Sequence, residues 1–399
     1  MLDSREAVVI GGGPTGLTAA LALASAGVET ALIAPKPSRD NRTTALLVGS
    51  VTALETLDVW PRCSAHAAAL RVMRIIDDTS RLVRAPEVSF YADEIGEDAF
   101  GHNVENRHLV AALEGRAAEL ATLARLEDAA ETIDLAENGV TVRLAGGGRI
   151  VARLAIGADG RNSLLRKAAG IGTDRTSYRQ TALTVNLHHA RPHHDIATEF
   201  HTETGPFTLV PLPGSRSSLV WVIDRDKAHD LLAREEKTFA EEVERRSHSI
   251  LGKVAVEAER FAFPLEIASA RSFTARRVAL IGEAAHVIPP IGAQGLNLGL
   301  RDAATIAELV VAAHRERRDV GSEDVLDRYN RMRRGDVTSR TLAVDLLNRS
   351  LLTDFLPIQG LRGLGLYLIG EIAPLRRAVM REGIAPVASA PRLMRGEAL

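Results

Sequence analysis

The spacing Gly11-x-Gly13-x-x-Gly16 constrains this chain more than any other feature, because of where it falls. It follows an apolar run, Ala7 to Ile10, and opens an Ala/Leu-rich stretch, Gly13 to Ala26, whose apolar residues recur at helical spacing. Gly27 stands where a helix C-cap belongs and Glu29 to Ala34 reads as the next strand, so the chain begins with a βαβ unit. In that setting the glycines allow a tight turn, a close backbone approach to a pyrophosphate, and close packing of helix on strand. The acid that usually ends the second strand and holds a ribose is absent. The slot reads Ile33-Ala34-Pro35, which leaves Asp40 or loop backbone for that contact.

A second ligand loop lies far downstream. Arg277 to Asp302 reads as a buried strand (Val278 to Ile281), a tight Gly282-Glu283 turn, a Pro289-Pro290 stop, a Gly292-x-x-Gly295 loop and an alanine-rich helix starting near Leu296. Such a loop aims backbone N–H groups and a helix N-terminus at one spot, which suits an electron-rich or anionic ligand. Between the two loops, Arg42 to Leu57 reads as a loop and helix, residues 70 to 100 as strands with polar turns, and Asn106 to Leu126 as helical. Thr141 to Leu144 and Ile150 to Ala158 flank a Gly146-Gly147-Gly148 hairpin turn. From about 176 to 268 the texture changes to alternating strands (Thr181 to His188, Ser217 to Ile223) with one charged helix near Thr238 to Ser249. The expected architecture is α/β. A discontinuous Rossmann-like domain is built from 1–70, 101–175 and 270–335, with an inserted, mostly antiparallel β-sheet domain from 71–100 and 176–269 and a helical C-terminal region, 336–399.

Composition removes several function classes. With 46% hydrophobic residues among 399, the chain can bury a large core, and 49 basic against 51 acidic residues give no electrostatic case for nucleic acid. A single cysteine, Cys63, excludes an internal disulfide and any cysteine-rich metal or iron–sulfur site, and fits a reducing compartment. The first strand starts by Ala7, and no run of eighteen apolar residues lacks a charge, so a cytoplasmic-type chain without a signal peptide or spanning segment is expected. The histidines of His188-His-Ala-Arg-Pro-His-His194 surround an Arg-Pro turn without a third partner, so no metal site is expected there.

Three ordered motifs, Gly11 to Gly16, Asp159-Gly160-Arg-Asn-Ser163, and Gly282-Glu-Ala-Ala-His286 through Asn297, resemble those of the single-component flavoprotein aromatic hydroxylases of the p-hydroxybenzoate hydroxylase fold. Further stretches make the chain most similar to the ubiquinone-biosynthesis hydroxylase family. They are Arg42-Thr-Thr-Ala-Leu46 with Trp60, Val104-Glu-Asn-Arg107, Leu209-Val-Pro-Leu212 with Ser218-Leu-Val-Trp221, and a tail running from Leu361-Arg-Gly-Leu-Gly-Leu366 to Met380-Arg-Glu382. The resemblance covers nearly the whole chain. It implies that Gly11, Gly13, Pro14, Thr15 and Gly16 cradle the pyrophosphate of FAD, and that Arg42 and Arg107 contact its ribityl–phosphate region. Asp159 is expected to touch both FAD and the reduced nicotinamide. Glu283, after Gly282, stands where the family has an aspartate that accepts a hydrogen bond from a ribityl hydroxyl, and a small backbone shift is expected to absorb its extra methylene. Gly292, Ala293, Gln294, Gly295, Leu296 and Asn297 are expected beside the pyrimidine side of the isoalloxazine, their N–H groups stabilising negative charge on reduction. His286 and Pro290 are expected at the reaction centre. For His286, a buried structural histidine bonded to backbone is an equal alternative.

The resemblance also implies a reaction. NAD(P)H, bound transiently in a cleft, reduces FAD, O₂ adds to give a flavin hydroperoxide, and the distal oxygen passes to an activated phenolic ring; the protein supplies position and a dry pocket. Leu209, Pro211, Leu212 and Trp221 are the expected wall of that pocket, with core packing the alternative for each. The substrate implied is a polyprenylated phenol, with other ubiquinone-pathway enzymes as partners. The tail sets Leu351, Leu352, Phe355, Leu356, Leu364, Leu366, Leu368 and Ile369 beside Arg362, Arg376, Arg377 and Arg381, a pattern suited to peripheral contact with the inner membrane face. An ordinary helix pair covering the flavin domain or a dimer face is the alternative. Two other functions stay open: a hydroxylase of a soluble aromatic compound, and a flavin-binding, non-catalytic assembly protein, which the changes at Ala34 and Glu283 would suit.

Overall fold

The computed structural model describes residues 3–37, 40–80, 84–290, 292–352, 365, 367–384 and 390–399. Asp3–Ile10, helix Pro14–Ser25 and Thr30–Ile33 form the βαβ start. Ala7, Val8 and Val9 are fully buried, as suits a parallel strand covered on both faces. Among the described residues the first sheet runs in the order Thr274–Ala275, Val278–Leu280, Arg149–Gly157, Asp3–Ile10, Thr30–Ile33, Leu123–Leu126. The last five pair in parallel. Val140–Leu144 and Ala130–Leu135 extend it antiparallel from the first half of Arg149–Gly157. Helix Pro14–Ser25 packs on helices Asn106–Ala117 and Gln294–Arg315. Its approach to the latter requires glycine at 299, where a Cβ would lie 2.6 Å from Thr15 Oγ1.

Three expectations are corrected. Arg42 to Leu57 is not loop and helix alone, since Thr43–Leu47 is a strand that pairs with Gly101–Glu105, itself paired with Ala67–Ala69. Two consecutive β-branched threonines favour that extended form once a distant strand offers a ladder. The helix from Asn106 ends at Ala117, and Leu123–Leu126 becomes an edge strand beside Thr30–Ile33. The tail helix begins well before 336, at Glu323, and runs to Leu352. It is anchored under the first sheet by Tyr329, fully buried, whose hydroxyl donates to the carbonyl of Leu280 at 2.8 Å. Leu361 to Leu364, Leu366, Phe355 and Leu356 lie outside the described residues, as do the side chains of Leu351 and Leu352.

The second large sheet runs His286–Val287, Val254–Ala270, Thr173–His189, Arg216–Asp224, Gly205–Leu212, Ile196–Thr202, Val72–Asp77, Val88–Tyr91. Every neighbour is antiparallel except Ile196–Thr202 with Val72–Asp77. Its side chains alternate between two environments. One face packs Leu183, Phe200, Phe207, Leu209 and Trp221 on Phe239 and Val243 of helix Glu236–Arg246. The first strand in the order belongs to the second ligand loop, so pairing of Ala268 and Ser269 with Val287 and His286 ties that loop to this sheet.

Candidate active site

A cavity of about 1060 Å³ is lined from both large sheets and from the ligand loops. Gly13, Pro14 and Thr15 border it, and so do Gly292 through Leu296. Helices Pro14–Ser25 and Gln294–Arg315 both begin here, and neither has a side-chain cap or an acid in its first turn. Their terminal N–H groups and partial positive charges therefore face one space. A Cβ at Gly13 or Gly295 would meet no atom of the chain within 4 Å, so both border room for a ligand. Gly11 and Gly16 serve the fold instead: a Cβ would lie 2.2 Å from the carbonyl oxygen of Ala158 and 2.0 Å from that of Gly11, respectively. Gly292 and Ala293 enter the second helix through left-handed backbone, φ 65° and 55°.

The expected polar contacts divide in the same way. Asp159 accepts from the N–H of Leu164 at 2.6 Å and of Leu165 at 3.2 Å, at the start of helix Leu164–Ala168, whose N-cap is Ser163. Its other oxygen is buried without a partner, while its neighbours Ala158 and Gly160 line the cavity. Arg42 and Arg107 line the cavity with counter-charges already in place. Arg42 donates twice, at 2.7 Å each, to Asp40 and lies 5.1 Å over the Phe263 ring; Arg107 donates to Glu105 at 3.0 Å. Burial opposes the charge on Asp40, yet bonds from Arg42 and Asn106 hold its carboxyl below the usual range. At the slot without an acid, a Cβ on Gly12 would come 2.7 Å from that of Ala34, so the turn fits a small residue, and Arg125 Nη1 donates to the Ala34 carbonyl at 2.6 Å. Glu283, half-exposed in the cavity, accepts from Arg161 Nη2 at 3.1 Å. Arg161 is a partner that the motif contained but no pattern singled out.

His286 is buried and its Nε2 lies 2.6 Å from Asp302 Oδ2, so its partner is a carboxylate and not backbone. Its Nδ1 is buried without a partner. The same Asp302 oxygen accepts the N–H of Gly282 at 2.9 Å, and Oδ1 accepts from Arg333 at 2.7 Å. Burial opposes ionisation of Asp302, but His286 and Arg333 hold its carboxyl below the usual value. Arg333 continues to Asp336 at 2.6 Å, which also accepts from Arg340 at 2.9 Å. Asp302 was legible only as an acid in an apolar helix, a placement that calls for buried partners. Asn297 does not line the cavity. Its amide donates to the carbonyls of Ala45 at 2.8 Å and Ala293 at 2.6 Å and accepts from Leu47 at 2.9 Å, which fastens the Thr43–Leu47 strand to the helix start. Pro290 borders the cavity and brings shape only, having no group that moves a proton.

The expected pocket wall is corrected. None of Leu209, Pro211, Leu212 and Trp221 lines the cavity. Leu209 and Trp221 sit on the helix-covered face, with Trp221 edge-on to Phe207 and under Arg246, and Pro211 lends its carbonyl to Asn103 at 2.9 Å. The floor is made by alternate residues, among them Thr208, Val210, Ser218 and Val220, with Thr184, Phe261 and Phe263 from the long strands. Among the histidines near 190, His189 bonds the carbonyl of Arg191 and the hydroxyl of Ser217, and His193 the carbonyl of Leu212.

Comparison with known proteins agrees with this geometry. The FAD binding domain family matches residues 4–342. Ubiquinone hydroxylase UbiL of Rhodospirillum rubrum is 35% identical over 98% of this chain and 92% of its own, and 3-demethoxyubiquinol 3-hydroxylase of Escherichia coli is 29% identical over 94% and 97%. The crystal structure of p-nitrophenol 4-monooxygenase PnpA from Pseudomonas putida DLL-E4 superimposes with a TM-score of 0.79 over 96% of this chain and 98% of its own, at 20% identity. Two bare helix N-termini and open space at Gly13 and Gly295 suit the phosphates of a flavin dinucleotide. The chain belongs to the FAD binding domain family and is an FAD-dependent monooxygenase.

Proposed function

We propose that this chain hydroxylates the aromatic ring of a polyprenylated phenol in ubiquinone biosynthesis, using NAD(P)H and O₂. The observation that carries this reading is one continuous cavity with two unlike ends, bare helix N-termini at one and a largely apolar sheet floor at the other. FAD, when bound, supplies the redox chemistry, accepting electrons from NAD(P)H and activating O₂. The chain's own residues do the rest. Residues 1–70, 101–175 and 270–335 hold the cofactor, with N–H groups at Gly13 to Thr15 and Gly292 to Leu296 meeting its anionic parts. Asp302 fixes the Gly282 turn and the His286 ring together. Residues 71–100 and 176–269 bind substrate, and Val210, Val220, Phe261 and Phe263 exclude water from the ring. Relatives named for hydroxylation of ubiquinone and demethoxyubiquinol support the pathway. Peripheral contact with an anionic membrane completes the reading, supported by the exposed Leu368, Ile372, Leu375 and Val379 beside the exposed Arg377 and Arg381.

Deleting the gene and identifying the accumulated quinone precursor by mass spectrometry tests the pathway, since the missing oxygen names the ring carbon. A precursor lacking one hydroxyl is expected, and normal quinone in the deletion strain would refute the assignment. Purified protein is expected to be yellow and to oxidise NAD(P)H faster when a prenylated phenol is added.

A further inference from the structure

The cavity floor holds a carboxylate that no flavin contact uses. Glu199 lies in strand Ile196–Thr202 and lines the cavity. It belongs to a row of paired residues crossing the sheet: Phe261 pairs with Thr184, Thr184 with Val220, Val220 with Thr208, and Thr208 with Glu199. The row therefore passes from an aromatic ring at one end to a carboxylate at the other, about 19 Å apart at four strand spacings. Glu199 is held at that end. His201 Nε2 lies 2.9 Å from Oε1, and the Thr208 hydroxyl donates to Oε2 at 3.3 Å. His201 is itself buried, whereas a fifth of the Glu199 side chain remains accessible. Burial opposes its charge, but the His201 contact keeps its carboxyl below the usual range. An ionised carboxylate has about four acceptor sites, and two partners leave capacity turned toward the cavity. A group so placed is costly unless a donor arrives.

We infer that Glu199, oriented by His201 and Thr208, accepts the hydrogen bond of the substrate's phenolic hydroxyl and so selects a free phenol over its ether. The inference rests on the hydroxylase reading and adds to it the residue that recognises the ring oxygen. As a ring carbon takes one oxygen atom of O₂, the O–O bond breaks and the other oxygen leaves as water, reduced by two electrons from NAD(P)H, while the hydroxyl O–H bond breaks. The electron pair of that O–H bond becomes part of a ring C=O bond and its proton passes to the Glu199 carboxylate. The ring regains aromaticity as the attacked carbon loses its C–H proton to solvent and the carbonyl oxygen takes a proton back from Glu199. The other carboxylates that line the cavity lie off this row and already face donors: Asp40 takes Arg42, Glu257 takes Arg216, Glu259 takes Asn41, and Glu266 and Glu283 both face Arg161.

The test uses the FAD-loaded full chain, with binding of 2-geranylphenol and of its methyl ether read from perturbation of the flavin spectrum. The wild type is expected to bind the phenol about tenfold or more tightly than the ether, as for a hydrogen bond to a charged acceptor. Glu199→Gln is expected to retain FAD and lose most of that preference. Where substrate is turned over, its kcat is expected to fall about 100-fold, with NAD(P)H consumption diverted to hydrogen peroxide. If Glu199→Gln does not load FAD, Glu199→Asp, which keeps the charge but withdraws it by one methylene, decides between a preference cut at least threefold and one left unchanged. Equal binding of phenol and ether by the wild type, or a preference that survives substitution, overturns the inference while leaving the hydroxylase reading intact. Failure of the wild type to bind either compound sinks both readings.

Discussion

At the scale of single residues, the fingerprint glycines have separable duties. Gly13 borders open cavity, whereas Gly16 is pressed against the Gly11 carbonyl. Gly13→Ala is therefore expected to fold with an unchanged apoprotein melting temperature but to bind FAD at least tenfold more weakly. Gly16→Ala is expected to lower apoprotein stability by about 1–3 kcal/mol, the usual cost of overpacking. Fluorescence titration with FAD and thermal melts of stripped protein separate the two, and equal effects on both readouts would show that Gly13 has no ligand role. The buried charges make a second prediction. Asp336, flanked by Arg333, Arg301 and Arg340, is held at about 2 despite burial, against an ordinary value of 3.8. Because the folded value is depressed, its stabilising contribution is complete above about pH 4 and is lost as pH falls toward 2. The stability difference between wild type and Asp336→Asn in urea melts should be largest at pH 7 and narrow between pH 4 and 2; a gap that stays constant to pH 2.5 would show that the arginines do not act through charge.

At the scale of elements, what was legible in the sequence followed from local physics. The βαβ start, the second ligand loop and the hairpin around Gly147 show themselves through short-range periodicity and turn residues. The wall of the substrate side did not, and the reason is specific. In Gly205–Leu212, both Leu209 and Val210 are apolar because both faces of the strand are covered, one by helices and one by the cavity boundary. Without polar alternation, no pattern says which parity faces a ligand. Trp221, with its large ring, packs on the helix-covered face, while the smaller Val220 beside it lines the cavity. The same long range hid Asp302, whose partners Gly282, His286 and Arg333 are 16 to 31 residues away. Parity yields a direct test. Trp221→Ala is expected to cost about 3–5 kcal/mol of stability, as for truncation of a buried aromatic, and to leave the KM for a prenylated phenol within twofold in protein that remains folded. Val220→Phe is expected to fold, to raise that KM at least fivefold and to increase peroxide release. The reverse pattern would place substrate on the other face of the sheet.

At the scale of the whole molecule, the tail helices meet the catalytic frame on one side and solvent on the other. Helix Glu323–Leu352 reaches the Gly282 turn through Arg333 and Asp302, and helix Ala373–Ile384 seats Met380 against Phe100 and Ala92 while Arg376 binds Glu94. Those contacts use one side of the second helix. Flanking that side, Leu375 and Val379 of this helix, with Ile372 just before it, are 40 to 44% exposed and form one stripe with Leu368. Among the described residues no helix is long and apolar enough to cross a membrane, and the proposed membrane contact is one in which this stripe lies along the surface. The arginines at 377 and 381 add attraction to anionic headgroups, a term that salt screens within about 10 Å at 0.1 M, whereas the apolar term persists. Wild-type protein is therefore expected to float with vesicles containing anionic phospholipid and to be partly released at 1 M salt. The double substitution Leu375→Glu, Val379→Glu touches neither the Met380 cluster nor the cavity lining, so it should keep FAD and activity on a soluble short-chain phenol. It should reduce flotation about tenfold, and flotation equal to wild type would assign the stripe to a protein partner instead.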